Sequence, residues 1–138
     1  MVFSSDEDVL RMQPYVFEHG VASFSEYHEP AAGDLLDALV TDWIPAQSTV
    51  LEDEFDAARL DAAQWVTVAV CRVLGWYVLP RLAASVGGEG FLSMMEHYRK
   101  AYTLEMQRVY WRGVRYNTGS GFERIEALPE SEVQRLRR

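Results

Sequence analysis

From Ala57 to Val78 apolar residues cover nearly every face of any helix drawn through the chain. An amphipathic stripe needs one neighbour; an all-round apolar segment needs neighbours on every side, so this stretch reads as the central helix of a bundle. Val66, Val68 and Val70 alternate as a strand would, but the pattern outruns the 4–8 residues of a buried strand. Asp56 suits the N-cap, Pro80 should kink or end the helix, and Val86-Gly87-Gly88-Glu89-Gly90 makes the turn after it. Ala62 to Leu79 is the nearest thing to a membrane span, interrupted by Gln64, Thr67 and Arg72. An arginine at mid-bilayer costs about 2.5–3.5 kcal/mol even on a lenient scale. The segment is read as a buried core helix, with no membrane partner.

The other elements are arranged around it. Ser4 and Glu7 have capping-box spacing, predicting a short helix from about Ser5 that stops before Pro14. Ser23 and Glu26 repeat that spacing. Pro30 suits the first turn of a further helix, whose stripe is Leu35, Leu36, Leu39, Val40, Trp43 and Ile44, ended by Pro45. Ala46 to Glu54 reads as a loop. Beyond the glycines, Phe91, Met95, Tyr98, Tyr102, Met106 and Val109 recur in steps of three and four. Arg108, Arg112 and Gly113 are stop signals that suit the helix dipole and a left-handed cap. Val114-Arg115-Tyr116 and Phe122-Glu123-Arg124-Ile125 flank the turn Asn117-Thr118-Gly119-Ser120-Gly121, as either a β-hairpin or an extended arm leading away from the helices. A last short helix from about Glu130 ends the chain. The expected fold is all-α: a small bundle of about four helices over residues 1–113, with an arm or hairpin and tail over 114–138.

A chain of 138 residues is one ordinary domain. Its single cysteine, Cys71, lies in the most apolar segment and reads as a small buried hydrophobe in a reducing compartment. The acidic start, Asp6-Glu7-Asp8, is not that of a signal peptide. Residues 1–106 carry 6 basic and 17 acidic side chains, whereas residues 107–138 carry 7 basic and 4 acidic. An acidic body does not invite nucleic acid. The polarity suits head-to-tail association; from charge alone, a solvated acidic surface with a frayed basic tail is the better account of it.

The sequence carries few patterns of catalytic or metal-binding chemistry. His19, His28 and His97 have no second histidine three to five residues away, so zinc and di-iron patterns are missing. Glu52, Asp53, Glu54 and Asp56 lack the spacing and central glycine of a calcium loop. Gly87-Gly88-Glu89-Gly90 precedes a helix, but no Lys-Ser or Lys-Thr follows and Glu89 repels phosphate. Gly119-Ser120-Gly121 is not a nucleophile elbow. No cofactor or metal is expected, and the chain is not expected to be an enzyme; a catalytic reading would need a pocket lined by Glu96 and His97. Tyr98 and Tyr102 are assigned to the core by their spacing. Tyr110 and Trp111 are consecutive and cannot both face it, so one belongs to a surface or interface.

The layout resembles the small head-tail adaptor (connector, or head-completion) proteins of tailed bacteriophages. The residues that carry the resemblance are Asp8-Val9-Leu10 to Pro14, Ser23-Phe24, the Ala32 to Ile44 and Arg59 to Leu82 helices, and Glu96-His97-Tyr98-Arg99-Lys100-Ala101-Tyr102. In Val114-Arg115-Tyr116-Asn117 the family often has aspartate after the tyrosine, so Asn117 is a departure. The resemblance implies a virion protein of the head-tail interface, made in the host cytoplasm. It implies a homo-oligomeric ring, commonly a dodecamer, that binds portal protein and a tail or stopper protein while DNA passes without specific binding. The interaction residues expected on this basis are Trp111, Arg112, Arg115, Tyr116, Asn117, Phe122 and Arg124. On that view, deleting residues 114–138 should leave a folded helical monomer that no longer joins the portal. The alternative is a small cytoplasmic helical binding or regulatory protein using the same exposed aromatics.

Overall fold

The structure is a computed structural model that describes residues 1–46, 55–117, 119 and 121–125. The expected Ala46 to Glu54 loop beyond Ala46, the turn positions Thr118 and Ser120, and the last helix with Arg137 and Arg138 lie outside them. The helices are α1 (Asp6–Met12), α2 (His28–Ala38), α3 (Val66–Val73), α4 (Leu79–Ser85) and α5 (Glu89–Arg112); β1 (Val114–Asn117) and β2 (Phe122–Ile125) follow. A π turn at Leu74–Val78 joins α3 to α4 without a break, giving one helix over Ala62–Ser85. Four helical rods and a two-stranded hairpin result, as the sequence predicts.

The Ala62–Ser85 rod is long and apolar enough to cross a membrane, with mean hydropathy 1.4 over its best window, yet 56% of that window is buried inside the bundle. Trp65, Val68, Ala69, Val70, Cys71, Val73, Leu74, Val78, Leu79 and Leu82 are all buried. That is the place the all-round apolar pattern requires. The rod begins later than expected. Asp56 caps only the single turn Ala57–Arg59, and Asp61 caps a second turn, Ala62–Trp65, that runs into α3. Between them Leu60 is extended and bridges to Tyr116.

Pro80 does not end the rod. A proline has no N–H for the carbonyl four residues earlier, and its ring crowds that carbonyl. Here that residue is Trp76, inside the π turn Leu74–Val78. Pro45 repeats the device: four residues before it is Thr41, inside the π turn Leu39–Trp43 that extends α2. A widened turn absorbs what a proline disrupts. At the second one, Arg99 Nε of α5 donates to the carbonyl of Gly75 at 3.0 Å. A Cβ at Gly75 would lie 3.1 Å from Arg99 Cγ and 3.3 Å from its backbone nitrogen, so glycine permits α5 this approach.

Two buried clusters share the rod. One holds Trp43, Trp65, Leu35, Leu39, Met106 and Val109; the other holds Val9, Val16, Phe24, Leu74, Leu79, Phe91 and Tyr98. Gly88 precedes α5, which starts at Glu89 rather than Phe91 and is ~36 Å long at 1.5 Å per residue. Gly113 closes it with φ 87° and ψ 129°, a positive-φ stop that glycine permits but not the left-handed helical cap its sequence announces.

The hairpin replaces the projecting arm. β1 and β2 pair antiparallel, Val114 opposite Ile125, Arg115 opposite Arg124 and Asn117 opposite Phe122. Val114, Tyr116 and Ile125 are 0%, 3% and 8% exposed and belong to the Trp43–Trp65 cluster. The alternation of a strand turns one face onto the bundle and leaves Arg115 and Arg124 outside. Cys71 is 2% exposed; burial, with the charge of Glu105 nearby, pushes its thiol up to about 12. It is the inert small hydrophobe expected.

Candidate interaction surface

The last turns of α5 and the outer face of the hairpin form one surface. Because Tyr110 packs against the core, its neighbour Trp111 is turned outward, and is 87% exposed. An indole left that open gains nothing from the fold. Phe122, at 47%, stands on the hairpin with the Arg115 guanidinium 5.7 Å from its ring. A groove of about 410 Å³ runs between the start of the Ala62–Ser85 rod, α5 and the hairpin, lined by Asp61, Gln64, Thr67, Glu105 and four arginines, Arg108, Arg112, Arg115 and Arg124.

Gln64 ties these elements together. Its Nε2 donates to the carbonyl of Gly113 at 3.0 Å, and its Oε1 accepts from the Arg115 N–H at 2.9 Å. The Asp61 N–H donates to the Arg115 carbonyl at 3.1 Å. Two of the four arginines are neutralised locally, Arg108 by Glu105 at 2.6 Å and Arg115 by Asp61 at 2.8 Å. Arg112 and Arg124 make no ion pair among the described residues.

The predicted site residues therefore divide. Arg112, Arg115 and Arg124 line one groove, Phe122 stands beside Arg115, and Trp111 is exposed next to Arg112 in the chain without lining that groove. Tyr116 does not: it is buried, and its hydroxyl accepts from the Asp56 N–H at 3.1 Å. Strand alternation put it on the core face, a role for which its size suits it. Asn117 is half-buried and its side chain accepts from the Gly119 N–H at 2.9 Å, an Asx turn that shapes the hairpin tip. Asp61, Gln64 and Glu105 were missed. Asp61 had a local signal as a helix cap; Gln64 bonds across 49 and 51 positions and had none.

A second polar cluster was also missed. Ser4 Oγ lies 2.7 Å from His28 Nδ1, and His28 Nε2 lies 2.9 Å from Asp6 Oδ1. The residue types are those of a hydrolytic relay, and Ser4, Asp6 and His28 line a surface hollow of about 470 Å³, although the Ser4 and His28 residues are themselves only 6% and 5% exposed. Asp6 also accepts from Ser23 Oγ at 2.6 Å and from the Phe24 N–H at 3.2 Å. The cluster ties the N-terminal segment to the start of α2. The sequence assigned the α1 cap to Ser4; Ser5 caps it, with Asp8 completing the box, which frees Ser4 for this role.

Burial acts to raise the Asp6 pKa, but hydrogen bonds from Ser23, His28 and the Phe24 N–H outweigh it and hold the carboxyl below its ordinary value. A depressed carboxyl stabilises fully above its unfolded pKa, about 3.9, and loses that contribution as pH falls through the folded value. Asp6→Asn should therefore melt below wild type at neutral pH, and the gap should close below about pH 4. Parallel melting curves across that range would show that the clamp contributes nothing through ionisation.

Compared with protein-family models, with curated proteins and with solved structures, the chain matches none. Among the described residues no group of three His, Cys, Asp or Glu side chains is placed to hold a metal ion. The chemistry this surface offers is recognition: two exposed aromatics, two uncompensated guanidinia, and a backbone held rigid beneath them.

Proposed function

We propose that this chain is an assembly protein of the head-tail adaptor type, joining a ring beneath a phage portal and presenting a docking surface to the tail or a stopper protein. What supports this reading is the Trp111 surface. Trp and Arg dominate the binding energy of protein interfaces, and here Trp111 is 87% exposed at the end of α5, while Arg112, Arg115 and Arg124 line the adjoining groove with Phe122 beside Arg115. The charge asymmetry of the chain agrees with it, an acidic body suiting a channel through which DNA slides. The resemblance itself rests on the sequence of the helical segments and of Val114-Arg115-Tyr116-Asn117.

Electron microscopy of the protein mixed with portal protein tests the reading. The expected result is added ring density beneath the portal. Trp111→Ala combined with Phe122→Ala should reduce its occupancy, by roughly the 30-fold or more in affinity that a hot spot of about 2 kcal/mol supplies. Circular dichroism should be unchanged, since both side chains are exposed. Wild-type protein that never joins the portal at micromolar concentration overturns the proposal.

A further inference from the structure

We infer that the arginine groove is the receiving half of a copy-to-copy contact, taking the exposed carboxylates of α2 from a second molecule between Arg112 and Arg124. The inference rests on the assembly reading above and names the partner of that surface.

The groove has an unbalanced charge held in place by the fold. Arg115 and Arg124 are direct cross-strand partners on the outer face of the hairpin. Opposed like charges destabilise a strand pair. One carboxylate, Asp61, answers Arg115, while Arg124 and Arg112 stand without an ion pair among the described residues. Gln64 and the Asp61 N–H fix the strand that carries Arg115, so the repulsion cannot be relieved by moving it away. An incoming carboxylate would relieve it.

The same chain supplies that carboxylate. Residues 12–58 contain ten Asp and Glu and no Lys or Arg. Within this stretch Glu26 is paired with Arg81 and Asp34 with Arg72. Glu29 and Asp37 on α2, and Asp42 on its π extension, are exposed and make no ion pair among the described residues. No residue of α2 lines the groove. Donor and acceptor are therefore different surfaces of one molecule, and the contact is heterologous, of the kind that propagates and closes into a ring where its rotation permits. A nucleic acid backbone fits less well, because Asp61 and Glu105 sit among the arginines and would oppose a continuous row of phosphates.

Charge exchange in the full-length chain tests this. Wild type should self-associate at low ionic strength in sedimentation velocity, weakening at least tenfold between about 50 and 200 mM salt, because exposed charges are screened. Arg112→Glu with Arg124→Glu opposes two acidic surfaces, and Asp37→Lys with Asp42→Lys opposes two basic ones. Each variant alone should stay monomeric. Mixed, they should associate, because every groove then meets an α2 of opposite sign. Folded variants that do not associate when mixed, or a wild type monomeric at low salt, overturn the inference. So does a short DNA duplex that binds wild type and not the Arg112→Glu, Arg124→Glu variant while copies do not associate. Portal binding by wild type and by the Asp37→Lys, Asp42→Lys variant, whose groove is intact, separates the two ideas: binding to portal without association in the mixture sinks the copy contact alone, whereas copies that associate but never bind portal sink the adaptor reading alone.

Discussion

A chain ending at Gly113 should fail to hold the native bundle. The hairpin contributes three buried side chains, Val114, Tyr116 and Ile125, to the cluster around Trp43 and Trp65. Burying an aliphatic or aromatic side chain is worth about 1.5–3 kcal/mol, so their joint loss is roughly 4.5–9 kcal/mol. Total stability for a domain is commonly about 5–15 kcal/mol. The truncation also strips Leu60 of its bridge to Tyr116 and leaves the Asp61 N–H without the Arg115 carbonyl. Urea denaturation followed by circular dichroism should show a broad, early transition or none. A truncated protein with the wild-type midpoint would mean that the hairpin is a passenger. The expectation from sequence, that residues 114–138 are a removable arm, is thus reversed. Binding and stability are better separated by Trp111→Ala and Phe122→Ala, which touch only the outer surface.

Trp65→Ala should cost about 3–5 kcal/mol, the usual toll for deleting a large buried aromatic from a core that closes only partly around the hole. Trp65 is 0% exposed, and it sits where the 3₁₀ turn Ala62–Trp65 passes into α3, so the loss falls at the junction of rod, α2 extension and hairpin. Trp65→Phe should cost less than half as much. The indole N–H at Trp65 finds no hydrogen-bond partner among the described residues, so removing it gives back part of a desolvation cost. Equilibrium unfolding of the two variants gives the comparison directly; equal losses would show that the indole edge contributes packing that a phenyl ring cannot supply.

Trp43 and Trp65 also show which part of the fold could be read in advance. Trp43 falls on the one-and-four stripe of α2, and Trp65 within the all-round apolar segment; both are buried as their periodicity requires. The spacing of Phe91, Tyr98, Met106 and Val109 located the inner face of α5 in the same way. Periodicity is a local property of helices, and these elements obey it. The π turns at Leu39–Trp43 and Leu74–Val78 were not legible, although the prolines that follow them were. A proline announces a missing donor, but whether the helix stops or widens depends on what packs around it. Here α5 lies against the second turn, with Arg99 on the Gly75 carbonyl, and the rod continues.

For the candidate surface, Tyr110 and Trp111 mark the division. Adjacency alone says that one of the two must turn outward. Only packing against the Trp43–Trp65 cluster decides that Tyr110 turns in and Trp111 out. Tyr116 shows the same limit in a strand, where alternation defines two faces but not which of them meets a core. The sequence by itself determined a four-rod helical bundle, its central rod, the glycine stop of α5 and a charge polarity between body and end. Tertiary structure decided that the hairpin is part of the core and that four arginines from α5 and the hairpin share one groove with Asp61 and Gln64. The reason is range: helix pattern and capping act over about four residues, whereas the groove is held by bonds spanning 49 and 51 positions, which no local spacing encodes.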